Sequence, residues 1–197
     1  MSTAGEVLAG IVIGYLIGTF PSADLVTRVA TRGGVNIREA GSGNPGGLNS
    51  MRVLGKGWGV LVIVLDAAKG ALAGAIGLLV GDAACYAAGT AVIAGHVWPV
   101  WTRFRGGRGV ASAGGSFAAA FPPFFVLGAA VAGMLALVTR NPGLTIRLIC
   151  PVWVVAAAIW WVAGLSNWWG PEVGPGLLVY SVVGAGIVLS RFRSGVR

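Results

Sequence analysis

Residues 109–139 read GVASAGGSFAAAFPPFFVLGAAVAGMLALVT, an uncharged stretch bounded by Arg108 and Arg140. The number of times it crosses a bilayer fixes the sidedness of everything that follows. A single crossing would leave Arg140 and Arg147 on the side opposite Arg103, Arg105 and Arg108. Short basic loops are retained on the cytoplasmic side, so an even number of crossings is expected. Pro122 and Pro123 supply the break, because adjacent prolines lack N–H donors and obstruct a continuous helix. The stretch is therefore read as two short spans with the prolines at the tip of a hairpin. A re-entrant element would preserve the same sidedness.

The rest of the chain makes lipid the natural solvent for this stretch. Of 197 residues, 56% are hydrophobic and only 10% are charged, and mean hydropathy is +0.83; soluble proteins carry about 25% charged residues. Seven spans of about 20 residues use about 140 residues and leave roughly 57 for loops. The expected architecture is all-α: a polytopic membrane helix bundle of about seven transmembrane helices, forming a single domain over residues 1–197. The net charge of +8 does not indicate nucleic-acid binding, since the aromatic residues lie inside apolar runs and do not alternate with arginine. Thirteen of the fourteen cations fall in four clusters, Arg28–Lys56, Arg103–Arg108, Arg140–Arg147 and Arg191–Arg197, while Glu6, Asp82 and Glu172 stand without cations at the opposite ends of the apolar runs. That pattern puts the N-terminus outside and the C-terminus in the cytoplasm.

Working outward from 109–139, the first span is expected over Ala4–Thr19, retained and not cleaved. Its Gly10, Gly14 and Gly18 repeat every four residues, a smooth face for a close neighbour. Residues 28–56 form a long polar loop. Span two covers Gly57–Val80 with Gly70, Gly74, Gly77 and Gly81, and span three covers Ala83–Trp101. Span six is expected at Leu148–Leu165, an outer loop at Ser166–Gly176 with Trp168 and Trp169 as interface anchors, and span seven at Leu177–Leu189. Cys85 and Cys150 sit in apolar surroundings without Cys-x-x-Cys spacing and read as packing thiols. One histidine gives no basis for a metal site, and nothing calls for a cofactor.

Two glycine-rich loops fall on the predicted cytoplasmic face. The first runs Arg38-Glu39-Ala40-Gly41-Ser42-Gly43-Asn44-Pro45-Gly46-Gly47-Leu48-Asn49-Ser50-Met51-Arg52, the second Phe104-Arg105-Gly106-Gly107-Arg108-Gly109. Glycines let backbone N–H groups converge on an anion, the Ser and Asn side chains add neutral hydrogen-bonding groups, and Arg52 and Arg108 can fork onto phosphate oxygens. Plain tight turns and headgroup-binding arginines would explain either loop alone. The string Gly41-Ser42-Gly43-Asn44-Pro45-Gly46 fits GxGxxG formally but does not join a strand to a helix in a βαβ unit. No His-x4-Asp arrangement follows His96. Asp66 and Lys69, three residues apart within span two, share a helix face and read as a packing ion pair, or as the charge pathway of a small transporter.

In order and spacing, these segments resemble the integral-membrane glycerol-3-phosphate acyltransferases that use acyl-phosphate in bacterial phospholipid synthesis. The resemblance rests on Gly14-Tyr15-Leu16-Ile17-Gly18 before Pro21, the Gly41–Arg52 loop, Leu54-Gly55-Lys56 with Asp66 to Gly70, and Gly95-His96 through Gly109-Val110-Ala111. It implies a seven-helix bundle in the cytoplasmic membrane, in contact with membrane lipids, with acyl-phosphate and glycerol 3-phosphate as substrates and lysophosphatidate and inorganic phosphate as products. It also implies that Ser42, Arg52 and Arg108 serve catalysis, with Arg108 where the family has lysine, and that Gly41, Gly43, Asn44, Gly46, Asn49, Gly106, Gly107 and Gly109 bind substrate. His96, Lys56, Asp66 and Lys69 are expected behind that site. Departures are Gly46-Gly47-Leu48-Asn49 in place of Gly-Ala-Thr-Asn, an altered loop at Asn141-Pro142-Gly143-Leu144-Thr145, and Ser190-Arg191-Phe192-Arg193-Ser194, which lacks the family's C-terminal His and Asn. A non-catalytic phosphate- or phospholipid-binding paralogue is the alternative these departures leave open.

Overall fold

The structure, a computed structural model, describes residues 2–192 and is all-helical over them. In chain order the helices are α1 (Thr3–Gly18), α2 (Ser22–Ala30), α3 (Gly47–Leu54), α4 (Lys56–Val80), α5 (Asp82–Val97), α6 (Val110–Ala120), α7 (Pro122–Thr139), α8 (Pro142–Val162) and α9 (Pro175–Ser190). Among the described residues, five segments are long and apolar enough to cross a membrane: Thr3–Ala30, Lys56–Val80, Asp82–Thr102, Pro122–Thr139 and Pro142–Val162. α6 and α9 are shorter apolar helices.

The chain breaks between α6 and α7 at Phe121, with Pro122 and Pro123 in the first turn of α7. Proline is tolerated there because N–H groups in a helix's first turn have no intrahelical acceptor. Two sequence expectations need correction. Residues 28–56 are not loop throughout: α2 extends to Ala30 and α3 occupies Gly47–Leu54. α8 also starts earlier than Leu148, at Pro142, where Asn141 caps it by accepting the Leu144 N–H at 3.1 Å.

Glycine contacts set the packing. A side chain at Gly10, Gly14 or Gly18 of α1 would run into the carbonyl oxygens of Ala84, Ala88 and Val92 on α5, so these helices meet backbone to backbone, as the four-residue glycine spacing predicts. α4 and α6 interlock in the same way: Gly70 faces the Ser112 carbonyl and Gly115 the Ala67 carbonyl. α5 is central, with Ala84, Cys85, Ala88, Val92, Ile93 and Val97 fully buried. Continuous with it, aromatic residues of α6, α8 and α9 extend the same core, with the Phe117 and Trp153 ring centroids 4.7 Å apart and Trp153 and Tyr180 5.2 Å apart. The Tyr180 hydroxyl, buried there, pairs with Ser116 Oγ at 2.7 Å, which satisfies it within an apolar setting. Leucines and valines such as Leu79, Leu137, Val138 and Val162 point outward, as a surface solvated by lipid requires.

Candidate active site

The first glycine-rich loop is shaped from within by Asn49. This residue is buried on α3, and its Nδ2 donates to the carbonyls of Ala40 (3.0 Å) and Ile37 (3.3 Å) while its Oδ1 accepts the Ser42 N–H at 2.7 Å. Both amide hydrogens are thus spent on the loop backbone. Asn49, expected to bind substrate, therefore acts by holding the loop. Gly41 has φ +60° and Gly43 φ +70°, the left-handed region that glycine enters without penalty. At Gly41 a Cβ would also strike Asn49 Oδ1.

Arg38 joins this loop to its surroundings. Its guanidinium makes a bidentate pair with Asp24 of α2 (Nε–Oδ1 2.7 Å, Nη2–Oδ2 2.8 Å) and donates through Nη1 to the Arg105 carbonyl. The second glycine-rich loop is anchored to the end of α5, where Gly106 N–H donates to Val97 O at 3.0 Å and Gly107 N–H to His96 O at 3.1 Å. A Cβ on Gly107 would lie 3.0 Å from the Pro45 carbonyl. The two loops are therefore in direct contact, and glycine at 107 is what permits it.

Among the described residues, two large cavities meet at these loops. One of about 530 Å³ is lined by Asn44, Gly46, Asp66, His96, Arg108 and Arg140, among others. It shares Ile63, Val110, Ala111 and Ile146 with an apolar groove of about 310 Å³ that runs past Phe117 and Phe124 to Trp153. The other cavity, about 630 Å³, is polar; Ser42, Gly43 and Gly106 line it with Arg38, Arg103, Arg105 and Arg191. Asn44 and Arg108 belong to both. Arginines outnumber carboxylates in each wall, a field that concentrates anions.

Beneath the 530 Å³ cavity, Lys69 Nζ lies 2.9 Å from Asp66 Oδ1 and donates to Phe20 O at 3.1 Å. The 2.9 Å contact is close in charge without hydrogen-bond alignment at Oδ1. His96 Nδ1 approaches the same oxygen at 3.4 Å. The intramembrane charges are thus paired and pinned to the α1–α2 corner.

The sequence-predicted residues do not all come together. Asn44, Gly46, Gly109 and Arg108 line the 530 Å³ cavity; Ser42, Gly43 and Gly106 line the polar one. Asn49, Gly41, Gly107 and Lys69 hold the frame. Asp66 and His96, expected behind the site, reach the cavity wall. Arg52 and Lys56 are solvent-exposed on α3 and at the start of α4 and line neither cavity. Sequence reasoning missed Arg140, Asn141, Thr145 and Phe192, which close the 530 Å³ cavity from the far side. The basic cluster at Arg140 was visible in the sequence, but its approach to Arg108 depends on α7 and α8 folding back. Of the C-terminal stretch, Arg193 and Ser194 lie outside the described residues. Among the described residues, no group of three or more His, Cys, Asp or Glu is placed to hold a metal, and both cysteines are free and buried.

Comparison with known proteins gives concordant results. A family model described as glycerol-3-phosphate acyltransferase matches residues 8–197. The chain is 36% identical over 187 residues to a glycerol-3-phosphate acyltransferase of Bacillus cytotoxicus, covering 94% of this chain and 87% of that one. It is 40% identical over 123 residues to a glycerol-3-phosphate acyltransferase of Exiguobacterium sibiricum, where the match spans 62% of this chain and 59% of the relative. Crystal structures of PlsY, an integral membrane glycerol 3-phosphate acyltransferase, superpose with TM-scores of 0.76 for the glycerol 3-phosphate form and 0.77 for the lysophosphatidic acid form. They are 30% and 29% identical, covering 94% and 95% of this chain and 87% and 88% of theirs.

Proposed function

The chain belongs to the glycerol-3-phosphate acyltransferase family, and from that premise we propose that it transfers a fatty acyl group from acyl-phosphate to the primary hydroxyl of glycerol 3-phosphate. The ester C–O bond forms as the acyl C–O bond to phosphate breaks, giving lysophosphatidate and inorganic phosphate. The hydroxyl proton passes to the departing phosphate, so no side-chain base is needed. The donor is already an activated mixed anhydride, which leaves the protein two tasks: aligning the hydroxyl with the carbonyl and stabilising the charge that develops between them.

The observation that carries this reading is the position of Arg108 and Asn44, shared by a cavity continuous with an apolar groove and by a polar, arginine-lined one. A lipid-tailed phosphate suits the first and a small polar phosphate the second. Their reacting groups would then meet at Arg108, whose planar fork matches phosphate oxygens. Ser42 would hydrogen-bond in the polar cavity, and the glycines at 43, 46, 106 and 109 would admit phosphate close to the backbone.

The proposed setting is the cytoplasmic membrane, with α1, α4, α5, α6, α7, α8 and α9 making seven crossings, the N-terminus outside, and both glycine-rich loops at the cytoplasmic face. The arginine clusters support that orientation. The test is direct: purified protein given palmitoyl-phosphate and labelled glycerol 3-phosphate forms lysophosphatidate, and loses that product on Arg108→Ala.

A further inference from the structure

We propose that Phe192 is the positioning residue for Arg108: its ring holds the guanidinium at the junction of the two cavities and so sets affinity for the phosphorylated substrates. The proposal rests on the acyltransferase reading above. Arg108 Cζ lies 4.9 Å from the Phe192 ring centroid. Among the described residues no hydrogen bond or ion pair holds the Arg108 guanidinium, so the ring face is its orienting contact. Arg38 provides the contrast within the same pair of loops: its guanidinium is committed to Asp24 and to the Arg105 carbonyl.

A ring is the right kind of holder for a residue that must grip an anion. A carboxylate partner would occupy the N–H donors and cancel the charge. An aromatic face attracts the cation through its quadrupole and leaves all five donors free for phosphate. It also restricts a side chain that otherwise loses much rotamer freedom on binding. Phe192 can do this because it is itself fixed. It follows the last turn of α9, where its N–H donates to Leu189 O at 2.9 Å, and it packs on the core that contains Trp153 and Val188. Its ring faces the first turn of α8 near Gly143 and forms part of the wall of the 530 Å³ cavity.

The experiment uses the full chain in lipid–detergent micelles. Steady-state kinetics is measured with palmitoyl-phosphate and glycerol 3-phosphate, and glycerol 3-phosphate binding is measured by calorimetry. Phe192→Leu is expected to raise KM for at least one substrate by roughly two- to tenfold, the strength of a partly desolvated cation on a ring, with a melting temperature within a few degrees of wild type. Phe192→Tyr keeps the face and restores KM. Arg108→Lys raises KM as well, and adding Phe192→Leu to it costs little more, because the stack is already weakened. Phe192→Met replaces Leu if that variant proves unstable. Unchanged KM in the Leu or Met variant, an equal defect in Tyr, or effects of Arg108→Lys and Phe192→Leu that simply multiply would overturn the proposal. Failure of the underlying reading looks different: the wild type makes no lysophosphatidate, while calorimetry still reports whether Phe192 tunes anion binding.

Discussion

His96 Nδ1 and Asp66 Oδ1 stand 3.4 Å apart in the wall of the 530 Å³ cavity, bringing α5 to α4 at the end of α5 on which the second glycine-rich loop is anchored. The same carboxylate oxygen lies 2.9 Å from Lys69 Nζ. One buried carboxylate therefore balances a lysine and lies beside the histidine whose carbonyl carries Gly107. Position and charge are linked here: the residue that pairs with the buried lysine also lines the 530 Å³ cavity.

Asp66→Asn should cost stability before it costs chemistry. Lys69 is only 7% exposed, and stranding a buried charge costs about 3–5 kcal/mol. Thermal unfolding in detergent should show a large drop in midpoint for Asp66→Asn and a smaller one for the Asp66→Asn, Lys69→Met double variant. Equal drops in both would show that the pair is not what holds α4 in place.

Asn49→Ala should disable the first loop although Asn49 lines neither cavity. Three hydrogen bonds are lost, each worth about 1 kcal/mol, and the Ser42 N–H loses its acceptor. Amide exchange over 37–43 should accelerate while the α5 core stays protected, and turnover should fall at least about tenfold. Retained turnover alongside fast exchange would separate loop order from activity.

Much of this arrangement was legible in the sequence because the signals were local. Hydropathy located the apolar helices, Pro122 and Pro123 marked a break that the structure has at Phe121, and the spacing of Gly10, Gly14 and Gly18 announced a backbone-close neighbour. α3 was not legible: Gly46 and Gly47 argue for a turn, and its helix is fixed by packing on α4, where a Cβ on Gly59 would collide with Met51. The same packing leaves Arg52 facing solvent, which no spacing rule reveals. Arg108, Arg140 and Phe192 meet only through the return of α7, α8 and α9, so their shared cavity is a property of the tertiary fold. The Asp66–Lys69 pair was readable at its three-residue spacing; the approach of His96, thirty residues away, was not.

Two helical glycines, one packed and one open, should respond in opposite ways to substitution. Gly14→Val places a side chain against the Ala88 carbonyl of α5, and overpacking of that kind costs about 1–3 kcal/mol or more. Gly186 of α9 has open space around it, so Gly186→Ala should be neutral or stabilising by up to about 1 kcal/mol. Melting temperatures of the two variants, measured side by side, check the helix contacts.

Sidedness can be tested with single cysteines in a variant lacking Cys85 and Cys150. Arg105→Cys and Arg140→Cys should react with a membrane-impermeant maleimide in inside-out vesicles, and Ser166→Cys in right-side-out ones. Labelling of Arg105→Cys and Arg140→Cys from opposite sides would contradict the proposed topology, because their two cavities meet at Arg108.

The most direct test of the central claim, that the two glycine-rich loops build one acyl-transfer site around Arg108, is the rate of lysophosphatidate formation from palmitoyl-phosphate and glycerol 3-phosphate in wild type and Arg108→Ala. Loss of one preorganised charge-stabilising donor costs about 10²–10³ in rate, so kcat/KM should fall by that factor while the melting temperature holds. Equal rates in the two proteins, or no product from the wild type, would contradict the account.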